Sequence, residues 1–362
     1  MRPTLHNLQA LRGLACLIVV LYHIAGYENT FWTKWRTFHF VRWFGYAGVD
    51  VFFALSGFII AWAHREQLGQ AKHLPRYLVR RFRRIYPVLW AAALATMVLI
   101  GALGTAVVFR PGWQRDYLEW LLLVPRYDPF QFIAATWSLQ YEIVFYLAFG
   151  LLFLVPKRWA FPLAIGWVAV IVAARVVRFA PEPFWANMLI SPYVLEFLGG
   201  TGVAAVVARG FVRGPQVALG LALAWTVALV ILLRGATPDE LGGWTWGRFF
   251  AFGPPSVLLV YAVVAGELTG RVHLPARLRP LGDASYSIYL MHGPVTLSLV
   301  HLMWGMNTNL PKHLVWIAVQ LAAAFVSGWL LYVLVERPIL SRRAKPKNVP
   351  ASVATSQLTL HS

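Results

Sequence analysis

Residues 8–23, LQALRGLACLIVVLYH, decide the fold, because they form an apolar stretch that suits a membrane-spanning helix. The stretch carries one guanidinium, Arg12, and one imidazole, His23. Eleven helical steps of about 100° return to within about 20° of the starting direction, so both side chains lie on one helix face, about 16 Å apart. Such groups are costly in hydrocarbon and normally face a protein interior, a cavity or a partner. We therefore expect this helix to line an internal path.

The composition predicts an all-α, polytopic membrane protein. Of the 362 residues, 59% are hydrophobic and only 13% are charged, which excludes an ordinary soluble domain. About ten apolar runs approach the roughly 20 residues that a bilayer requires. They are residues 8–27, 46–63, 86–108, 137–155, 160–177, 191–208, 215–233, 248–267, 284–304 and 313–335.

The distribution of charge predicts the topology. The net charge of +18 comes from lysines and arginines placed between apolar runs, a pattern that favours membrane orientation over binding of nucleic acid. With the N-terminus in the cytoplasm, most of the 32 basic residues fall in cytoplasmic segments, so we expect both termini to be cytoplasmic. Residues 1–340 are expected to form the transmembrane domain, and residues 341–362 a disordered cytoplasmic tail.

Four ionisable residues share one predicted depth, near the outer ends of four different spans. They are His23, Asp50, Glu142 and Glu196. A neutral imidazole can take a proton from an attacking hydroxyl, and a carboxylate can orient the ring. We therefore predict His23 as a general base with Glu142 or Asp50 as its partner. A structural network that joins helices remains the alternative, and for Asp50 and Glu196 so does a packing or capping role.

A cationic cluster follows the second span, on the opposite side of the membrane. It consists of Arg80, Arg81, Arg83 and Arg84. Guanidinium groups bind phosphates well, so this cluster is a candidate site for a phosphate-bearing donor, whose long arm would pass Arg12. Attraction to anionic membrane lipid is the competing interpretation.

Further polar residues are candidates for the wall of a pocket. Tyr286 and His292 lie on the ninth predicted span, where His292 either lines a tunnel or is simply satisfied in the bundle. Ser56 lies near the middle of the second span and has no evident base at a fixed spacing. His292 and His301 fall on opposite helix faces, and we predict no metal site.

The sequence resembles the acyltransferase-3 family of membrane acyltransferases, which modify bacterial surface and exported polysaccharides. The likeness runs from about residue 5 to residue 340, and five motifs carry it in order. They are LQALRG at 8–13 with His23, GVDVFFALSGF at 48–58, RRFRRIYP at 80–87, WSLQYE at 137–142 and SYSIYLMH at 285–292.

The resemblance implies acyl-CoA as the donor, no permanently bound cofactor and transfer, usually of acetyl, to a sugar hydroxyl. It also implies that His23 and Arg12 are essential, with Arg12 acting on the donor. We therefore expect an O-acyltransferase of the bacterial inner membrane that takes acyl-CoA and a glycan or lipid-linked saccharide as substrates. A proton-coupled transporter of a glycan or lipid precursor is the main alternative, and a non-catalytic scaffold is a third.

Overall fold

The computed structural model describes residues 5–31, 38–102, 113–126, 132–182, 184–232, 246–302 and 310–341, and all regular elements in these ranges are helical. The α-helices, in chain order, are α1 His6–Phe31, α2 Ala47–His64, α3 Leu74–Ala102, α4 Trp113–Leu121, α5 Trp137–Leu151, α6 Ala160–Val176, α7 Phe184–Leu189, α8 Tyr193–Ala208, α9 Pro215–Leu232, α10 Trp246–Leu268, α11 Arg279–Asp283, α12 Ser285–Leu302, α13 Leu310–Leu331 and α14 Arg337–Ser341. The tail predicted for residues 341–362 lies outside the described residues, apart from Ser341 at the end of α14.

In the described part of the chain, six helical segments are long and apolar enough to cross a membrane, which makes this a multi-pass membrane protein. They are His6–Tyr27, Ala47–His64, Ala71–Ala102, Lys157–Val176, Trp246–Leu268 and Leu310–Ser341. Helices also occupy the other four predicted spans, but α5, α8, α9 and α12 are shorter or more polar. The structure therefore confirms an all-helical membrane fold and leaves the count of ten and the orientation of the termini as predictions.

The third predicted span begins earlier than the sequence suggests. The sequence predicts a span at residues 86–108, yet α3 runs without interruption from Leu74 to Ala102. Pro87 lies inside this helix, where a proline normally removes one hydrogen bond. Because the helix continues through Pro87, the arginines before it are carried on the same rigid element as the apolar residues after it.

The helices define two ends of the bundle. The backbone N–H of His6, at the start of α1, donates to Glu267 at the end of α10. Arg248, at the start of α10, pairs with Asp50 at the start of α2. We call the end that contains the start of α1 the proximal end, and the end that contains Arg248 the distal end. The segments that begin proximally and end distally include α1, α3, α6 and α12.

Helices α2 and α8 pack at unusually close range because small residues face each other. A side chain at Gly57 would collide with the carbonyl of Phe197, and one at Gly200 would collide with the carbonyl of Ala54. Small residues allow helix backbones to approach closely in membranes. This contact holds Asp50, near the start of α2, close to Glu196 of α8.

Candidate active site

His23 lies beside a second histidine, His292 of α12. The Nδ1 atom of His23 is 2.9 Å from the carbonyl oxygen of Val19 and 3.3 Å from Nε2 of His292. The Nδ1 atom of His292 is 2.7 Å from the carbonyl oxygen of Tyr289. The two rings meet edge to face, with their centroids 4.8 Å apart.

These contacts determine which nitrogen carries the proton in each ring. A carbonyl oxygen only accepts hydrogen bonds, so we assign the proton to Nδ1 of both His23 and His292. Nε2 of His292 then accepts from the shared Nδ1–H of His23. Nε2 of His23 consequently keeps its lone pair, which is the state that a general base requires.

Among the described residues, neither acid predicted as the partner of His23 forms a hydrogen bond with it. Asp50 accepts hydrogen bonds from Arg248, at 2.8 Å from Nη2 and 3.3 Å from Nε. Glu142 accepts from Ser56 Oγ at 2.8 Å and from the hydroxyl of Tyr146. Both acids are thus held by other donors, and the pairing with His23 and a catalytic role for either acid stay predictions.

Asp50, Glu196 and Arg248 form what we call the distal charge cluster. All three side chains are buried, and Glu196 is fully so. Neither carboxylate oxygen of Glu196 has a hydrogen-bond partner in the described part of the chain, although Asp50 and Arg248 are near enough to act on it electrostatically. Arg248 also stacks on the rings of Tyr46 and Tyr193, at 4.9 and 5.0 Å from their centroids.

An internal cavity of about 280 Å³ begins at the proximal end, and we call it the arginine cavity. Arg12 of α1 and Arg80, Arg81 and Arg84 of α3 all line it. The fourth predicted member of the cluster differs, because Arg83 is exposed on another face of α3 and does not line the cavity. The structure thus joins Arg12 to three of the four arginines that the sequence singled out.

Positive charge exceeds negative charge in this cavity. Glu142 is the one acidic residue among the side chains that line it. Arg81 stacks at 5.4 Å over Tyr146, and its buried Nε has no hydrogen-bond partner in the described chain. A buried donor without a partner is rare and costly, so the cavity is suited to an anionic ligand.

Among the residues that the structure describes, Arg84 is the one of the four with a carboxylate partner. A π-helical turn, Tyr332–Glu336, follows α13 and presents Glu336 to the Arg84 guanidinium. Glu336 is buried and also accepts a 2.6 Å hydrogen bond from Ser287 Oγ. π-Helical turns are rare and often occur at functional sites. The sequence reasoning missed Glu336, although an acid at the end of a long apolar run was a usable signal.

The arginine cavity ends one side chain short of the histidine pair. Ser138 and Tyr289 line the cavity, and their side-chain oxygens are 2.8 Å apart. The backbone carbonyl of Tyr289 is the group that accepts from His292. The predicted pocket residues Ser56 and Tyr286 also line the cavity, whereas His292 lies just beyond it and Glu196 belongs to the distal charge cluster.

Comparisons with known proteins agree with this geometry. The acyltransferase-3 family model, described as an acyltransferase domain, matches residues 5–336. The exopolysaccharide production protein ExoZ of Rhizobium meliloti is 33% identical over 86% of this chain and 94% of its own length. Acyltransferase MdmB of Streptomyces mycarofaciens is 29% identical, covering 96% of this chain and 95% of its own length.

A third relative is longer than this chain. The peptidoglycan O-acetyltransferase OatA of Listeria monocytogenes is 23% identical over 93% of this chain but only 56% of its own length. No solved structure matches the chain. Because the family model covers nearly all of the described helices, the chain belongs to the acyltransferase-3 family.

Proposed function

We propose that the protein is an O-acyltransferase of the bacterial inner membrane that moves an acyl group, acetyl in the usual case, from acyl-CoA to a hydroxyl of a cell-surface or exported glycan. Family membership supports acyl transfer, and the names of ExoZ and OatA support a polysaccharide acceptor. The relatives are named for acyl transfer or polysaccharide production, so the transporter alternative gains no support.

One observation carries the proposal: an arginine-rich cavity ends beside a histidine pair. The phosphates of acyl-CoA match the surplus of guanidinium groups at its mouth. A thioester carried on the donor's flexible arm then passes Arg12 and approaches the wall formed by Ser138 and Tyr289. That wall adjoins His292 and, through it, His23.

The chemistry follows from the tautomers of the two rings. Nε2 of His23 takes the proton of the acceptor hydroxyl, whose oxygen attacks the thioester carbonyl carbon. The carbon–sulfur bond breaks, the ester is released, and the proton on His23 passes to the departing CoA sulfur. His292 is a positioning residue, because it holds the His23 ring through Nδ1 and never touches the reacting atoms.

The proposed orientation places the proximal end in the cytoplasm. Acyl-CoA is a cytoplasmic metabolite, and Arg80, Arg81 and Arg84 lie towards the proximal end. The acceptor then enters from the distal end, so the two substrates meet at His23 from opposite sides of the membrane. This arrangement explains how one small domain modifies a glycan outside the cell with a donor made inside it.

Thiol release tests the proposal directly. Wild-type protein in nanodiscs, given acetyl-CoA and a glycan extract from the native host, should release CoA and form an ester. His23→Ala should lower the rate by about 10²–10⁴-fold, the usual contribution of a general base. His301→Ala, an exposed histidine on the same helix as His292, should keep the wild-type rate.

Two further results bear on the same assay. His23→Gln keeps a polar side chain of similar reach, so a folded but inactive His23→Gln protein shows that lost activity is chemical. Equal CoA release from the wild type and both His23 variants would remove His23 as the base. Absence of release with the native extract would overturn the acyltransferase proposal itself.

A further inference from the structure

A second cavity, of about 630 Å³, lies at the distal end, and we call it the distal cavity. Its walls come from α5, from α6 and the turn after it, from α7 and from the start of α10. The volume is within the range of small-molecule sites. Nothing in the reaction at His23 uses its side chains, so the cavity is a separate candidate site.

The lining combines aromatic rings with neutral polar groups. Five aromatic side chains line it: Trp137, Tyr141, Phe179, Phe184 and Trp246. Gln140, Asn187 and Ser191 add amide and hydroxyl groups between the rings. Sugars have the matching surface, because their C–H faces pack on aromatic rings and their hydroxyls hydrogen-bond to amides. A lipid tail needs only the apolar part of such a wall.

The charge of the distal cavity is positive. Arg126, Arg175 and Arg178 line it, and none of its lining residues is acidic. Arg126 is already paired, with Asp116 at 2.7 Å and Glu119 at 2.6 Å. Arg175 and Arg178 are exposed and form no ion pair with any residue that the structure describes. Two guanidinium groups therefore remain for an anionic ligand.

Arg178 occupies a backbone position that normally favours glycine. Its φ is +52°, in the left-handed region, just after the end of α6. The N–H of the next residue, Phe179, donates to the carbonyl of Ala174 at 2.8 Å, which closes the helix end. The long cationic side chain is thus held at the cavity despite an unfavourable conformation for a residue with a Cβ.

The two cavities share a thin wall. Trp137 lines the distal cavity, and the next residue, Ser138, lines the arginine cavity and contacts Tyr289. Both cavities therefore approach the first turn of α5 from opposite sides. A long acceptor anchored in the distal cavity remains close to the end of the donor path.

We propose that the distal cavity binds an acidic saccharide, whose carboxylate pairs with Arg175 and Arg178 while its rings pack on the aromatic side chains. This inference rests on the proposed function and adds a substrate class to it, namely a glycan that contains uronic acid or a similar carboxylate. An anionic lipid headgroup is the competing occupant, and the amide-lined wall favours the saccharide.

Binding of two matched probes tests the inference. The probes are a galacturonate tetramer and its methyl ester, which has the same sugar rings but carries a neutral methyl ester in place of each carboxylate. Their binding is measured with wild-type protein in nanodiscs of zwitterionic lipid. We expect the charged tetramer to bind about tenfold more tightly, with a preference that weakens as salt rises. Arg175→Gln/Arg178→Gln should remove the preference. Arg158→Gln/Arg209→Gln, a matched change at two exposed proximal arginines, should keep it.

The possible outcomes are distinct. Equal affinity for the two tetramers, or a preference that survives Arg175→Gln/Arg178→Gln, overturns the inference. So does a wild-type protein that binds vesicles rich in phosphatidylglycerol through Arg175 and Arg178 but ignores both tetramers. The binding assay contains no acyl donor and is therefore independent of the CoA-release assay. Saccharide binding in a protein that releases no CoA would support this inference while the proposed reaction fails. CoA release by a protein that shows no preference for the charged tetramer would support the reaction and overturn this inference.

Discussion

The arginine cavity and the distal charge cluster are both built from arginines and acidic residues, but in different proportions. In the distal charge cluster, one arginine, Arg248, faces two carboxylates, Asp50 and Glu196, in a site closed to solvent. In the arginine cavity, four arginines face two carboxylates. Glu142 lies on the cavity wall, and Glu336 lies behind Arg84. The distal charge cluster is closed around its single arginine, whereas the arginine cavity combines excess positive charge with open space.

This difference suits the distal charge cluster to a structural role and the arginine cavity to ligand binding. Buried charges must be paired, and breaking such a pair is far more costly than losing an exposed one. The distal charge cluster satisfies its arginine internally and ties α2, α8 and α10 together. The arginine cavity leaves guanidinium groups such as that of Arg81 without a full set of partners, so it is suited to an anionic ligand. Substitutions at the first site should affect stability, and those at the second should affect affinity.

The largest effect is expected at Arg248. Arg248→Met keeps much of the side-chain volume but leaves Asp50 and Glu196 buried without a cation, which should lower the free energy of unfolding by about 3–5 kcal/mol. Thermal or denaturant unfolding in detergent measures it. Arg248→Met/Asp50→Asn/Glu196→Gln removes all three charges and should recover most of the loss. If Arg248→Met alone is as stable as the wild type, the cluster does not stabilise the fold.

The smallest effect is expected at Glu196. Glu196 forms no ion pair in the described chain, and neither of its carboxylate oxygens accepts a hydrogen bond from a donor there, so Glu196→Gln breaks no such contact. We expect the unfolding free energy to change by less than about 1 kcal/mol. Asp50→Asn should be more damaging, because Asp50 holds both hydrogen bonds from Arg248. The reverse order of the two variants in the same unfolding assay would contradict this assignment.

Much of the candidate site was predictable from the sequence, because helical periodicity and apolar depth are local properties. The cluster RRFRR predicted a group of arginines near Arg12, and three of its four arginines do line one cavity with Arg12. The shared helix face of Arg12 and His23 stays a prediction. Depth alone, however, did not predict contacts. Helices at one depth lie at different angles around the bundle, so the predicted layer separates into His23, Glu142 and the distal charge cluster.

The partners that were missed are long-range in sequence. His292 lies 269 residues beyond His23, and Arg248 lies 198 residues beyond Asp50. Each was visible as a polar residue near a span, but only the packing of α12 against α1, and of α10 against α2, decides which group it meets. Glu336 was missed for another reason, because a π-helical turn rotates it away from the direction that regular α-helical spacing predicts.

The affinity of the protein for acetyl-CoA tests the central claim most directly, by comparing two arginines on one helix. Arg81 lines the arginine cavity, whereas Arg83 is exposed beside it. We predict that Arg81→Gln weakens binding by about tenfold, the usual effect of losing a charge-assisted hydrogen bond, and that Arg83→Gln leaves binding unchanged. Unchanged binding in both variants, or equal losses in both, would contradict the claim that the surplus charge of this cavity holds the donor.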